Sequence, residues 1–391
     1  MKEIYIIDAV RTPQGSFGGA LADVDAPQLA AATIQGILER TGIAASAIDE
    51  VIIGQVLSGG AGQAPARQAM RIAGLPDSTP AMTINKVCGS GLKALMLGAG
   101  SIRLGDADVV IAGGMENMSL TPYLLKQARY GYRMGNGEMI DMMIYDGLQD
   151  PYSNKHMGLI AETSVENQEL SREEQDQYSL RSYQKTQSAV KRGIFSDEIV
   201  PFVKKTRKGE VVVSEDEEPF KVDFEKLTRL RTAFKKDGTI TAGNASTISD
   251  GAAMTLLASK EAVEQYGLKP KARFIAYASN SMHPDDFTLA PIGAIEKVCT
   301  KAGLSVEDID LFEINEAFAA VPLFAIKQLG LDSDKVNVNG GAVSIGHPLG
   351  ASGARLAATL VREMRSREVQ YGLATLCIGG GEAVAVIFER V

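Results

Sequence analysis

The stretch TGIAASAIDEVIIG, residues 41–54, has a counterpart in AGLSVEDIDLFEIN, residues 302–315, and this pair decides the fold. The two align without a gap. They share a glycine, a branched aliphatic residue after it, an Ile-Asp pair and a terminal apolar strand. Working outward, CGSGLKALMLGAGSI from Cys88 lines up with GASGARLAATLVREM from Gly350, and DVVIAGG ending at Gly114 lines up with LATLCIGG ending at Gly380. Three fragments in the same order imply an internal duplication.

Each half therefore reads as helix, strand, loop, buried helix, strand and Gly-Gly. The apolar runs ADVVIAG and YGLATL are nearly continuous, as in strands covered on both faces. After Cys88, residues Leu92, Leu95, Met96, Ala99 and Ile102 keep helical spacing, while Gly91, Ala94, Gly98 and Gly100 leave the other side small. Such a helix can be buried all round. The pattern predicts two similar α/β halves in layers, buried helices between sheets, and a ligand site where the halves meet.

Between Ser119 and Thr247 the character changes to Tyr, Met, Gln and charge. The run SREEQDQYSLRSYQKTQSAVKRG reads as an amphipathic, surface-like helix opened by a Ser171/Glu174 capping box. EVVVSEDEEPFKVDFEKLTRL reads as a strand and an acidic turn, and the core-like pattern resumes at SDGAAMTLLAS. The expected division is residues 1–118 with 248–270 as the first half, 119–247 as a loop domain covering the site, and 271–391 as the second half.

With 40 Lys and Arg against 48 Asp and Glu, the formal charge of -8 argues against general nucleic-acid binding. The basic run KKTRKG, Lys204 to Gly209, fits a solvated hairpin tip, with a phosphate-bearing ligand as the other reading. Cys88, Cys299 and Cys377 are an odd set with no spacing for zinc or a disulfide framework, which points to a reducing, cytoplasmic compartment. No apolar run approaches the ~20 residues of a membrane span, and the opening MKEIYIIDAVRTPQG is too short in its apolar part for a signal peptide.

Cys88 stands where the strand-like AMTINKV gives way to a helix, a position where free N–H groups and the helix dipole lower a thiol pKa. A small buried hydrophobe explains it equally well. His347, between Gly346 and Pro348, precedes the repeat-equivalent helix mouth. Cys377 ends a buried strand before three glycines. Asn315 ends another strand, where a simple N-cap also accounts for it. Cys299 falls on an amphipathic helix and reads as structural. Together a thiol, an imidazole, a second thiol and an amide on turns of a duplicated core suit acyl transfer through a thioester.

At these residues the chain resembles the thiolase family over essentially its full length: NKVCGSGLKA, AGGMENMS, TAGNASTISDGAA, EINEAFAA, GGAVSIGHPLGASGAR and CIGGGEAVAVIFE occur in order. The resemblance implies a five-layered α-β-α-β-α fold, a loop domain holding coenzyme A, and a homotetramer. It implies reversible condensation of two acetyl-CoA into acetoacetyl-CoA and coenzyme A, with coenzyme A as substrate and no metal or separate cofactor. Cys88 would carry the acetyl group, His347 would activate it, and Cys377 would exchange the α-proton. Asn315, through a water, would join His347 at the enolate oxygen, and the N–H groups of Cys88 and Gly379 would hold the tetrahedral oxyanion. For the coenzyme A arm the implied residues are His156, Met157, Phe234, Ala242, Gly243, Ser246, Ala317 and Phe318, and His156 resembles the short-chain members.

The chain departs from the family at Phe220 and Thr232, where Arg and Pro are frequent, so Lys221 or the Lys204–Lys208 cluster is the expected replacement at the adenosine phosphates. Phe287 replaces a frequent Met and bears on chain length. The alternatives are a degradative 3-ketoacyl-CoA thiolase or a non-catalytic acyl-CoA binder.

Overall fold

The computed structural model describes residues 2–391. In the first half the strands are β1 (Ile4–Arg11), β2 (Glu50–Gly54), β3 (Ala81–Ile84), β4 (Val109–Asn117) and β5 (Ser249–Ser259); in the second they are β6 (Ala272–Ser281), β7 (Leu311–Ile314), β8 (Tyr371–Ile378) and β9 (Glu382–Arg390). The first half runs β3-β2-β4-β5-β1 and the second β7-β8-β9-β6. A parallel bridge from Phe312 to Val336 stands beside β7 where β3 stands beside β2. The duplication read from sequence is thus a repeated strand order. The two sheets are not separate, however: Tyr5 pairs with Arg273 and Ile6 with Ala272, so one ladder runs through both.

The layers follow from which faces the strands bury. All nine residues of β4 are buried, because helices cover both its sides. The outer layer of the first half contains α1 (Ala26–Thr41), whose first turn carries Pro27 and whose chain is released by Gly42 at φ 69°. Helices α2 (Ser90–Leu104) and α7 (Leu349–Ser366) form the middle layer and share one apolar cluster with strands of both sheets. The second outer layer holds α5 (Ala290–Ala302), with the buried Cys299, and α6 (Ala320–Leu329). That is five layers.

Glycine sets the distance between the middle helices. A Cβ on Gly91 would lie 2.8 Å from Gly350 O, one on Gly353 would lie 2.5 Å from Leu92 N, and one on Gly114 would lie 1.9 Å from Gly350 O. No side chain fits there, so α2 and α7 touch backbone to backbone and their N-terminal ends open at one place.

Residues 118–248 leave the core between β4 and β5. They carry α3 (Met157–Asn167), α4 (Arg172–Lys191) and a hairpin of Phe202–Thr206 with Gly209–Val213. The Ser171/Glu174 capping box is present. Helix α4 is not surface-like: it buries Gln175, Asp176, Tyr178, Ser179, Ser182 and Thr186. Its polar face bonds inside, where Tyr178 Oη and Ser182 Oγ each donate to Glu316 over 2.8 Å, and Asn337 Nδ2 donates to the same carboxylate over 2.9 Å. A sequence period cannot distinguish such a face from a solvated one. No helix among the described residues is long and apolar enough to cross a membrane.

Candidate active site

Beyond β3 the chain turns sharply to reach α2. Asn85 Oδ1 accepts the N–H of Val87 over 2.9 Å, and Ser90 Oγ accepts that of Lys86 over 2.8 Å while donating to Val87 O over 2.7 Å. Val87 is held at φ 46°, a strained value for a β-branched residue. The turn delivers the Cys88 sulfur, half-buried, to the N–H of Gly379 and to its own N–H.

Sequence reasoning expected the helix mouth to lower the Cys88 pKa; the structure reverses this. Burial pushes the thiol up to about 11, the two N–H donors oppose it, and the buried Glu116 adds to it. Desolvation of a thiolate outweighs the dipole here. Burial also pushes the Cys377 thiol well up, aided by Cys88 nearby. Both sulfurs therefore rest as thiols, and an ionised sulfur requires a base.

That base is at the second mouth. His347 lies in the loop before α7, its N–H bonded to Thr247 O over 3.1 Å. Its Nδ1 is 2.5 Å from Ser352 Oγ, and its Nε2 is 3.3 Å from Asn315 Nδ2. Since Ser352 Oγ donates to Pro348 O over 2.9 Å, the ring proton belongs on Nδ1 and the lone pair on Nε2. Burial, with the Arg355 cation behind it, pushes the imidazole pKa down to about 3. His347 is a neutral base at physiological pH.

Asn315 is not an N-cap: α6 begins at Ala320 with Ala319 before it. Its N–H continues the β7–β8 ladder to Thr375 O over 3.0 Å, and its amide bonds the imidazole. Asn315 Oδ1 is buried without a protein partner, the position where a buried polar atom calls for water or ligand.

Cys88, His347, Cys377 and Gly379 line one cavity of about 530 Å³. His156, Met157, Phe234, Ala242, Ser246, Ala317 and Phe318 line it as well. His156 caps α3, accepting Gly158 N–H at Nδ1 over 3.1 Å, and stacks on Phe234 with centroids 4.8 Å apart. Gly158 is required, because a Cβ there would meet the Phe234 ring at 2.4 Å. Two sequence candidates do not line the cavity, Asn315, which stands behind His347, and Gly243, where a Cβ would face Leu227 and Leu230 and whose N–H bonds Thr241 Oγ1. Gly243 shapes the turn.

Lys221 lines the cavity near Glu218 and Ser16, whereas Lys204 bonds Ala20 O and Asp23 on the separate hairpin groove. Lys204 stands on a hairpin strand whose turn carries Arg207 and Lys208, and of the two expected replacements only Lys221 lines the cavity. Sequence reasoning missed Leu148 and Met118 on the cavity wall, which carry no signal beyond being apolar. It also missed Glu116, which accepts the N–H groups of Gly350 over 2.8 Å and of Val56 and Leu57 over 3.0 Å, tying the mouth of α7 to the first half.

A sulfur beside two N–H donors can take up an acyl group when Nε2 of a neutral imidazole removes its proton, and the second thiol is placed to exchange a proton with whatever follows. This is the equipment of a thiol-dependent acyltransferase. The chain belongs to the thiolase family: the family model described as thiolase, N-terminal domain matches residues 4–261, and that described as thiolase, C-terminal domain matches residues 268–390. It is 52% identical over 390 residues to an acetyl-CoA acetyltransferase of Chromobacterium violaceum, covering 99% of this chain and 100% of the relative. It is 51% identical to one of Pseudomonas aeruginosa, covering all of both chains. Among solved structures, the Bacillus anthracis acetyl-CoA acetyltransferase matches with a TM-score of 0.98 at 44% identity, over 100% of this chain and 99% of that one. Human mitochondrial 3-ketoacyl-CoA thiolase matches at 0.96 and 39% identity with the same coverage.

Proposed function

We propose that this chain is an acetyl-CoA acetyltransferase that condenses two acetyl-CoA reversibly to acetoacetyl-CoA and coenzyme A. The observation that carries this reading is the Cys88 sulfur beneath the Gly379 N–H, in one cavity with His347 and Cys377. The relatives of that name at 52% and 51% identity support the substrate.

In the first half-reaction the Cys88 proton moves to His347 Nε2 and the sulfur attacks the acetyl carbonyl. The oxyanion sits between the N–H groups of Cys88 and Gly379, each such donor being worth roughly 2.7–4 kcal/mol. Collapse breaks the thioester bond, and the departing coenzyme A thiolate takes the Cys377 proton. Acetyl-Cys88, a Cys377 thiolate and an imidazolium remain. In the second half-reaction the Cys377 thiolate removes the α-proton of another acetyl-CoA. The enolate oxygen is held by His347 and, through water, Asn315, and its carbon attacks acetyl-Cys88. The Cys88 thiolate leaves and recovers its proton from His347, so all three groups return to their starting states. Side chains, two backbone N–H groups, a water and the coenzyme A substrates carry every step, and none calls for a metal or a separate cofactor.

His156, Phe234, Ala317 and Phe318 would form the apolar walls for the pantetheine arm, Ser246 would bond its amides, and Lys221 would meet the phosphates. Residues 119–247 would act as the loop domain. The exposed Tyr130, Met134 and Met139 in that segment support a homotetramer, which light scattering would check, and the free cysteines support a cytoplasmic enzyme.

Acetyl-CoA alone should add the mass of one acetyl group to wild type and not to Cys88→Ala. Thiolysis of acetoacetyl-CoA should outpace that of an eight-carbon 3-ketoacyl-CoA. Preference for the longer substrate would assign the chain to the degradative thiolases, and the absence of an adduct would remove Cys88 as nucleophile.

A further inference from the structure

The oxyanion site is shared between the two halves. The Cys88 N–H comes from the turn that opens α2, and the Gly379 N–H comes from the glycine turn that joins β8 to β9. Backbone fixes each donor within its own half. Their spacing is set by whatever joins the two segments.

The segments pass in opposite directions and touch in step. Gly89 faces Ile378, where a Cβ would meet the side chain at 2.4 Å. Beside it the Cys88 sulfur meets the Gly379 N–H. On the far side Lys86 Nζ donates to Glu382 Oε2. Apart from the sulfur's own bond, this is the one side-chain hydrogen bond between residues 85–90 and 376–383 among the described residues.

The two ends of this ion pair are not equally held. Glu382 opens β9 and pairs with Ile378 of β8 on one side and Ser281 of β6 on the other, so its backbone is anchored in the sheet. Lys86 stands in the turn, directly before Val87 at φ 46°, a conformation that its surroundings must hold in place. Neither residue lines the catalytic cavity, so neither touches substrate. Their side chains are 28% and 34% exposed, and a pair that exposed adds little to stability. Its effect is on where the turn sits.

We propose that Lys86 and Glu382 are a positioning pair of the transfer reaction: their contact ties the turn of the nucleophile to the β8–β9 turn and keeps the Cys88 and Gly379 N–H groups at the spacing one oxyanion needs. Donors moved apart lose strength where charge develops, with little cost to substrate binding. The proposal rests on the functional reading given above.

The test is the rate at which saturating acetyl-CoA acetylates Cys88, read by rapid quench and intact mass, with steady-state thiolysis of acetoacetyl-CoA beside it. Lys86→Met and Glu382→Gln should each slow acetylation about fivefold to tenfold, with KM within about twofold and melting unchanged. The double variant should be no slower than the slower single, because one contact is lost once. Lys86→Arg keeps the charged hydrogen bond and should stay within about twofold of wild type. The sign in Glu382→Gln separates the tie from a through-space charge effect: removing a nearby negative charge would ease formation of thiolate and oxyanion and speed the step, whereas loss of the tie slows it. A faster or unchanged rate in Glu382→Gln overturns the proposal, and so do losses that multiply in the double variant; Glu382→Gln decides alone if Lys86→Met does not fold. Alkylation of Cys88 by iodoacetamide, located by peptide mass, needs no acyl group and should slow in the same variants, since the Gly379 N–H also faces the resting sulfur. Wild type that forms no acetyl adduct would overturn the functional reading, and the alkylation rates would still judge the pair.

Discussion

At the mouth of α2 the groups that hold Cys88 are mostly backbone: the N–H of Gly379, its own N–H, and a turn strained at Val87. At the mouth of α7, His347 is held by side chains, Ser352 on one nitrogen and Asn315 on the other, with Glu116 gripping the helix end. The halves descend from one pattern, yet the first mouth presents a nucleophile and the second a base with a defined tautomer. Backbone donors stay in place when a side chain changes, and a side-chain network does not. The two mouths should therefore respond differently to substitution.

The largest effect belongs to the sulfur itself. Cys88→Ser should lower condensation by about 10⁴-fold or more, with melting unchanged, because the hydroxyl is far harder to ionise beside the same base. Steady-state rates with a melting curve check this, and a loss below about tenfold would show that another group carries the acetyl. Next is the contact that brings the mouths together. Gly353→Ala should destabilise the fold by about 1–3 kcal/mol or more, since the added carbon would sit 2.5 Å from Leu92 N. Urea unfolding reads it, and an unchanged midpoint would mean the helices can part without cost. Asn315→Ala, at the side-chain mouth, should cost about 10²-fold in kcat with a smaller change in KM.

The pH dependence separates the mouths by sign. With its folded pKa pushed down to about 3, His347 binds fewer protons folded than unfolded. Its contribution to stability is present above the unfolded value of about 6.5 and is lost as pH falls toward the folded one, by about 1.4 kcal/mol per pH unit at most. His347→Asn should flatten that slope in melting temperature measured from pH 7 downward. An equal slope in the variant would assign it to other groups, such as the buried carboxylates.

Much of this was legible because duplication shows in the chain as matched fragments, and the matched glycines mark where helices meet. Repeat register set His347 at the mouth equivalent to that of Cys88, and the apolar run before three glycines set Cys377 at a strand end. Burial was not legible. A thiol at a helix mouth reads as acidified until the structure shows how little water reaches it, and α4 reads as exposed until Glu316 appears beneath its polar face. Asn315 read as a cap because strand ends and helix starts look alike when the helix begins five residues later. Ser352 looked like an ordinary helix residue, since its meaning comes from the His347 ring it meets.

The smallest effect sharpens the comparison most. A Cβ on Gly379 would meet Met157 Sδ at 3.5 Å and Val87 at 3.8 Å, which are ordinary contacts, and its N–H would be kept. If the first mouth works through that N–H, Gly379→Ala should hold kcat for acetoacetyl-CoA within about threefold, because the donor is untouched. The added carbon points at Met157 in the cavity, so KM should rise instead, and more for longer acyl chains. Gly380, at φ 90°, offers the contrast: alanine there must adopt a left-handed backbone at a cost of about 1–2 kcal/mol, which displaces the strand end that aims the donor. A larger kcat loss in Gly379→Ala than in Gly380→Ala would mean that space around the sulfur, and not the direction of the backbone donor, governs the first mouth.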